Sequence, residues 1–560
     1  MTSTGVRGCI RRWSTTSAAA LGTYCLVAFL VFGLRLLVEP GRQYVGFGSD
    51  PEIFIWSFAW WPHAILHGQN PFFTHEIWAP TGVDLAWATS VPGLALLFSP
   101  LTLLLGPFAS YDVAATLLPA FGAWTAFLLC RHLTRTFWPS LVGGYLFGFS
   151  SYELGQQEGH PHMSAVFLVP VVALLIVRYV EGGLDGRSLA VRLGPVFAFQ
   201  VLLSTELAFT LGLAVLVGIA LGIWRVPERR ARLRSLLAPL AAGAALAAAL
   251  LAPFLYYAVT GYQSGSLNDP GAYVTDLLNW VVPTKLSLAS LGWAEPIARH
   301  FPGNDAERGA YLGLPALVVA FAYLRGPRTP PASFLLAALL TAVVASLGDH
   351  LIVDGQRRSI PLPWALVIGR PLFDNALPER FALYAILVVS VVVALWTARR
   401  RPGVLRFAAP FLAVAAVLPN PAAGAWATSF EVPAFFGSAY RSCLGPNETV
   451  LPFPLSTPGL PMLWQVTADF RFRMAGGEIA PQPPASFLDS TAARAVAYGK
   501  PIPPSQAGLI RDYIREKGVT TVVVDAADAG KWSYAMNTIA TPQLVGGVFV
   551  YRVGSPVRSC

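Results

Sequence analysis

Long apolar runs alternate with short polar gaps over the first three-quarters of the chain. The runs fall near residues 17–38, 90–106, 112–130, 138–150, 163–180, 189–205, 206–224, 235–258, 309–325, 332–348, 380–397 and 403–419. Most have the length of a membrane-spanning helix, ~17–24 residues. The run 90–106 opens on Ser90-Val91-Pro92-Gly93 and closes on Leu105-Gly106-Pro107, so helix breakers bracket it. It is expected to re-enter the membrane or lie in its interface. The run 138–150 is short and is expected to extend at both ends. Beyond residue 420 the pattern changes. Thr449 to Phe453, Val519 to Asp525 and Gly547 to Val553 read as strands, and Ser505 to Lys517 has helical spacing. The pattern predicts an α-helical polytopic membrane protein over residues 1–420 and a small extracytoplasmic α/β domain over 421–560.

Composition agrees, with 54% hydrophobic and only 12% charged residues, about half the charge of an ordinary soluble domain. The net charge of +9 suggests nucleic acid, but its distribution excludes that partner. The arginines gather in short gaps between apolar runs, which is a topology signal. With 90–106 not spanning, the gaps holding Arg7, Arg11 and Arg12; Arg131 and Arg135; Arg178, Arg187 and Arg192; Arg225 to Arg234; Arg325 and Arg328; and Arg399 to Arg406 all fall on one side. Glu181, Asp185 and Glu228 are the acids among them. This predicts about eleven spans in a cytoplasmic (inner) membrane, the N-terminus cytoplasmic and the C-terminus outside. The apolar run after Arg12 lacks a small-x-small cleavage site and reads as a retained signal-anchor. Every histidine except His132 then lies outside, as do the most distinctive carboxylates.

Asp50 and Glu52 stand in Gly48-Ser49-Asp50-Pro51-Glu52, just past the first apolar run. Asp50 reads as a helix N-cap, a general base, or both. Trp56, Trp60 and Trp61 suit an interfacial helix at headgroup level. His63 and His67 read as interfacial too. The second outer loop, Ser151 to His162, carries Glu153, Glu158, His160 and His162. It reads as a solvated polar turn, as a source of acid–base groups, or as a metal site of Glu158, His160 and His162 with Asp50 or Glu52. Arg380, at the outer mouth of a span, could grip a phosphate, snorkel, or pair with Glu379. Cys443 and Cys560 share the tail, where they would pair in an oxidising compartment or remain two thiols. No Gly-x-x-x-x-Gly-Lys-Ser/Thr or Gly-x-Gly-x-x-Gly motif occurs, so no nucleotide or nucleotide-sugar site is expected.

The runs Gly48-Ser49-Asp50-Pro51-Glu52, Ser150-Ser151-Tyr152-Glu153 with His160, and Leu377-Pro378-Glu379-Arg380-Phe381 resemble those of uncharacterised bacterial members of the GT-C superfamily of integral-membrane glycosyltransferases. The resemblance covers the chain to about residue 420 and is strongest over 45–180. It implies inverting transfer of a sugar from a polyprenyl-phosphate donor to a glycan, lipid or protein acceptor on the outer face. It also implies that Asp50 is the base or helps hold a divalent cation (magnesium or manganese). Glu52 would support Asp50, Glu158 and His160 would complete the site, and Arg380 would bind the donor phosphate. The Asp-Pro-Glu motif departs from the family's Asp-Glu or Asp-x-Asp, which bears on the cation. Two other readings compete: a lipid or polysaccharide transporter or flippase, with Glu206 as its main intramembrane charge, and a non-catalytic envelope assembly factor.

Overall fold

Helices carry most of the chain in the computed structural model, which describes residues 3–261, 269–327, 329–370, 373–399, 403–446, 448–454, 460–479, 484, 487, 505 and 507–554. Among the described residues six helices are long and apolar enough to cross a membrane: Thr15–Leu37, Pro107–Thr134, Pro161–Val180, Thr205–Arg225, Pro227–Leu250 and Pro378–Arg399. Leu314–Leu324, Pro330–Ser346 and Val404–Ala416 are shorter apolar helices. The chain is a multi-pass membrane protein.

Of the two irregular runs, only 138–150 differs from expectation. The run 90–106 forms Pro92–Leu97 and Ser99–Leu105, broken at Phe98. A seven-residue helix rises about 10 Å, a third of the hydrocarbon thickness, so this segment does not span. The run 138–150 does not extend at both ends. It forms the 12-residue helix Phe137–Gly148, and the chain leaves helical geometry at Phe149 before a new helix starts at Ser151.

The described fold divides into two compact units. The first comprises Met1–Val38, Val113–Ala252 and Ser264–Ala427; the second comprises Glu39–Asp112, Pro253–Gln263 and Thr428–Cys560.

In the first unit the Ala382–Arg399 helix is buried from Ala382 to Thr397 apart from Val388. It has no polar face, which is the composition of a helix enclosed by others. Glycines let neighbours approach. A Cβ at Gly143 would lie 3.0 Å from the Ser390 carbonyl, and one at Gly148 would run into the backbone of Pro119 and Ala123. The Gly144/Gly148 pair is thus a helix-packing device.

The second unit is built on a five-stranded sheet: β1 (Glu448–Phe453), β2 (Phe472–Met474), β3 (Thr521–Asp525), β4 (Pro542–Val545) and β5 (Val548–Arg552). Their order is β4-β5-β3-β1-β2. β1 pairs parallel with β2 and β3, and β5 is antiparallel to β3 and β4. Gly546 and Gly547 join β4 to β5, both at positive φ, as a two-residue hairpin turn requires. The expected strands and the helix, here Ala507–Lys517, are present. Cys560 lies outside the described residues.

The tail does not stand alone in this unit. The edge strand β2 and the residues after it bind the first outer loop through Met474 N–H to Glu76 O (2.8 Å), Ala79 N–H to Met474 O (2.9 Å) and Trp78 N–H to Gly476 O (2.9 Å). The loop thereby covers an edge that would otherwise expose unpaired backbone groups.

The tryptophan expectation is corrected. Trp56, Trp60 and Trp61 are buried in protein, not laid at a headgroup surface. Their indole N–H groups donate to Gln465 Oε1, Pro71 O and Ser90 O, which satisfies the one polar group of each. Gln465, itself fully buried, also donates to the carbonyls of Glu76 and Phe472. One amide therefore ties the Asp50–Leu66 helix, the first loop and β2 together.

Candidate functional site

The second unit places Asp50 and Glu52 in the first turn of the Asp50–Leu66 helix. Gly46 and Gly48 turn the chain into it at φ +109° and +82°, a region only glycine enters freely. Pro51 sits in the first turn, where its missing N–H costs nothing. Ser49 occupies the N-cap position, so Asp50 stands one residue inside the expected cap, where the helix dipole favours a carboxylate. Asp50 is half-buried.

Glu52 is only 1% exposed. Tyr44 Oη lies 2.9 Å from Glu52 Oε1 and 2.9 Å from the Gly48 carbonyl. Glu52 Oε2 is buried with no hydrogen-bond partner among the described residues. Burial pushes this carboxyl up to about 8; the Tyr44 hydrogen bond opposes the rise, and the charges of Glu478 and Asp50 add to it. Glu478 is pushed up to about 7 by burial and then by Asp50. Glu478 escaped the sequence reading. Its one signal there is the preceding Gly476-Gly477, a pair that permits close backbone approach.

The raised carboxyl gives a stability prediction with a defined sign. Unfolded Glu52 ionises near the ordinary carboxyl value, while the folded protein holds its proton to about pH 8. The unfolded chain binds fewer protons across that interval, so stability falls as pH rises through it. Glu52→Gln removes this penalty and keeps an acceptor for Tyr44. The variant should melt higher than wild type at pH 8.5, by an amount on the order of 2 kcal/mol, with the difference shrinking toward pH 5. A difference that is flat between pH 5 and 8.5 in detergent melts would contradict the buried, protonated carboxyl.

In the first unit the second outer loop is not a solvated turn. Ser151–Gln156 is a helix with every residue buried. Gln156 Nε2 donates to Ala306 O at 2.8 Å. Ser164 Oγ donates to Glu153 Oε2 at 2.6 Å, and Gln157 Nε2 donates to Ser164 Oγ at 2.8 Å. Burial holds the Glu153 carboxyl well above its ordinary range against the Ser164 hydrogen bond. Glu158 is half-buried. Burial and the nearby Asp305 push it up to about 7, opposed by Lys285, His160 and Arg308. Asp305 pairs with Lys285 at 2.7 Å and Arg308 at 3.3 Å. The His160 and His162 rings lie 6.0 Å apart. Among the described residues no three His, Cys, Asp or Glu side chains are grouped as metal ligands.

Arg380 differs from the expected phosphate ligand. Its side chain is 5% exposed and surrounded by carboxylates: Glu307 at 2.7 Å, Glu206 at 3.3 Å and Glu379 at 3.5 Å. Arg380 Nη2 donates to Glu307 Oε1 at 2.7 Å, and Nη1 lies 2.7 Å from Glu307 Oε2 as an ion-pair contact. The expected Glu379 partner is present, but as the longest of three. Glu206 sits in the first turn of the Thr205–Arg225 helix and also accepts from Leu377 N–H. It is a helix-end ion-pair partner, not a charge at mid-span, which removes the main support for the transporter reading. Glu307 was not singled out from the sequence, because pairing across 73 residues leaves no local trace.

A family model described as "Domain of unknown function (DUF6311)" matches residues 19–418. The chain belongs to this family. No curated protein matches it. Among solved structures, this DUF6311 chain is similar to the arabinofuranosyltransferase AftD from Mycobacteria, with TM-score 0.53 and 16% identity over 97% of this chain and 41% of that one. It is also similar to ArnT from Cupriavidus metallidurans bound to undecaprenyl phosphate (TM-score 0.47, 10% identity, 99% and 100% covered). A third is the apo oligosaccharyltransferase of Archaeoglobus fulgidus (TM-score 0.42, 14% identity, 93% and 71% covered). The AftD likeness shows a shared fold.

Proposed function

We propose that the chain is an inverting glycosyltransferase that moves a sugar from a polyprenyl-phosphate donor to a hydroxyl acceptor on the outer face of the cytoplasmic membrane. The observation that carries this reading is the pair Asp50 and Glu52 at the head of one helix in a GT-C fold. Asp50 is the base that takes the acceptor proton. Glu52, buried against Tyr44, supports it as a neutral hydrogen-bonding neighbour. Glu158, raised to about 7 in the first unit, is a second group poised for proton transfer near neutral pH. The arginine distribution supports about eleven spans with the N-terminus inside and the tail outside. A polyprenyl phosphate is a leaving group that needs no cytosolic energy source, in keeping with a sequence that lacks nucleotide-binding motifs.

The donor class is tested with purified protein in detergent. Polyprenyl-phosphate-linked pentoses and hexoses are supplied beside the matching nucleotide sugars, and released polyprenyl phosphate is measured. Release from one of the lipid donors, with no consumption of nucleotide sugar, is the expected result. Consumption of nucleotide sugar alone would overturn the donor assignment.

A further inference from the structure

We propose that the C-terminal sheet carries a binding cleft for a phosphate-bearing ligand, gripped by Arg511, Arg515 and Arg552. The proposal goes beyond the transferase reading and stands independently of it. It gives the tail a ligand of its own, within the second unit.

The cleft has a volume of about 520 Å³. The Ala507–Lys517 helix brings Arg511 and Arg515 to it, four residues apart and so on one face. Gly518, at φ +64°, then turns the chain through Val519 toward β3. β5 ends on Arg552, which stands opposite Thr521, the first residue of β3. Ile514, Val519 and Ile539 give the cleft an apolar floor. Among the described residues no aspartate or glutamate lines it.

The three guanidiniums are held differently. Arg552 is fixed in place, with Nη1 donating to Glu448 Oε1 at 2.7 Å and to Thr521 Oγ1 at 2.6 Å. Its charge is matched by Glu448. Arg511 and Arg515 are exposed. Arg511 Nη2 reaches the Thr538 carbonyl only at 3.5 Å. The acid beside Arg515 is Asp512 at 3.8 Å, and the two side chains are 76% and 65% exposed, so the pair contributes little. The negative end of the helix lies nearby, but about half a charge does not cancel two guanidiniums. The cleft is therefore positive.

Cations gathered around one space repel each other until an anion enters it. Arginine forks match carboxylate and phosphate oxygens. A carboxylate offers two oxygens, whereas a terminal phosphate offers three, enough for more than one fork. The volume falls within the range of small-molecule sites and exceeds what a bare anion fills. The phosphate thus arrives on a carrier that lies over the apolar floor. A lipid headgroup and a phosphorylated glycan present this same chemistry.

The test is native mass spectrometry of the full chain in detergent, titrated separately with glycerol 3-phosphate, phosphatidylglycerol and glucuronate. Wild type is compared with Arg511→Gln/Arg515→Gln, with Arg511→Lys/Arg515→Lys and with Arg299→Gln, a charge control at an exposed arginine of the first unit. Melting in detergent checks that each variant is folded. A phosphate probe should saturate one site per chain. Its affinity should fall about tenfold or more in the glutamine variant, by less in the lysine variant, and not in Arg299→Gln. Saturation by glycerol 3-phosphate supports a soluble phosphorylated glycan as the source. Saturation by phosphatidylglycerol alone supports a lipid headgroup. Three results would each overturn the proposal: no saturable phosphate site, equal affinity in the glutamine variant and wild type, or tighter binding of glucuronate than of either phosphate probe.

Discussion

Arg380→Met is expected to cost the fold about 3–5 kcal/mol, the penalty for breaking a buried ion pair from one side. The guanidinium is nearly inaccessible and holds Glu307, Glu206 and Glu379. Removing it leaves three carboxylates buried against each other with no cation between them. They must then take up protons or open the structure to water. Arg380→Lys should recover little, because one compact ammonium cannot reach Glu307, Glu206 and Glu379 together as the guanidinium does. Combining Arg380→Met with Glu307→Gln should recover more than Arg380→Lys does, since it removes one of the stranded charges. Thermal melting and extraction yield in detergent read this directly. A methionine variant that melts within about 2 °C of wild type while its donor affinity falls would instead return Arg380 to the phosphate-binding role.

Asp50→Asn carries the other large effect, and on activity rather than stability. A positioned base contributes about 10²–10⁴ in rate, and asparagine keeps the shape while losing the capacity to accept a proton. Asp50 is half-buried and lies in the first turn of a helix, where losing the charge forfeits only about 0.3–1 kcal/mol of dipole stabilisation. The variant should therefore fold as wild type does and transfer poorly at every pH. Glu52→Gln should be milder, because Glu52 already holds its proton to about pH 8.

Those two effects separate what the sequence made legible from what it hid. The apolar runs were readable because helix length in a membrane is a local property, and so were the tail strands, whose β-branched residues and Gly546-Gly547 turn are local signals. Asp50 and Glu52 stood out for the same reason. The tryptophans misled because an indole suits a lipid interface and a buried core alike. The choice was made by Gln465, some four hundred residues away in sequence. Arg380 misled in a similar way: its partners Glu206 and Glu307 come from distant segments, and nothing nearby announces them. Glu478 was invisible because its meaning comes from the docking of β2 on the first loop, a pairing without sequence periodicity.

The central claim is that this chain transfers a lipid-carried sugar with Asp50 as base. It is tested most directly by comparing purified wild type and Asp50→Asn at one concentration of the same polyprenyl-phosphate sugar, measuring labelled product against acceptor across pH 5 to 9. The expected result is transfer by wild type, a loss of about a hundredfold or more in the variant at every pH, and matching melting temperatures. Transfer by Asp50→Asn at the wild-type rate would contradict it.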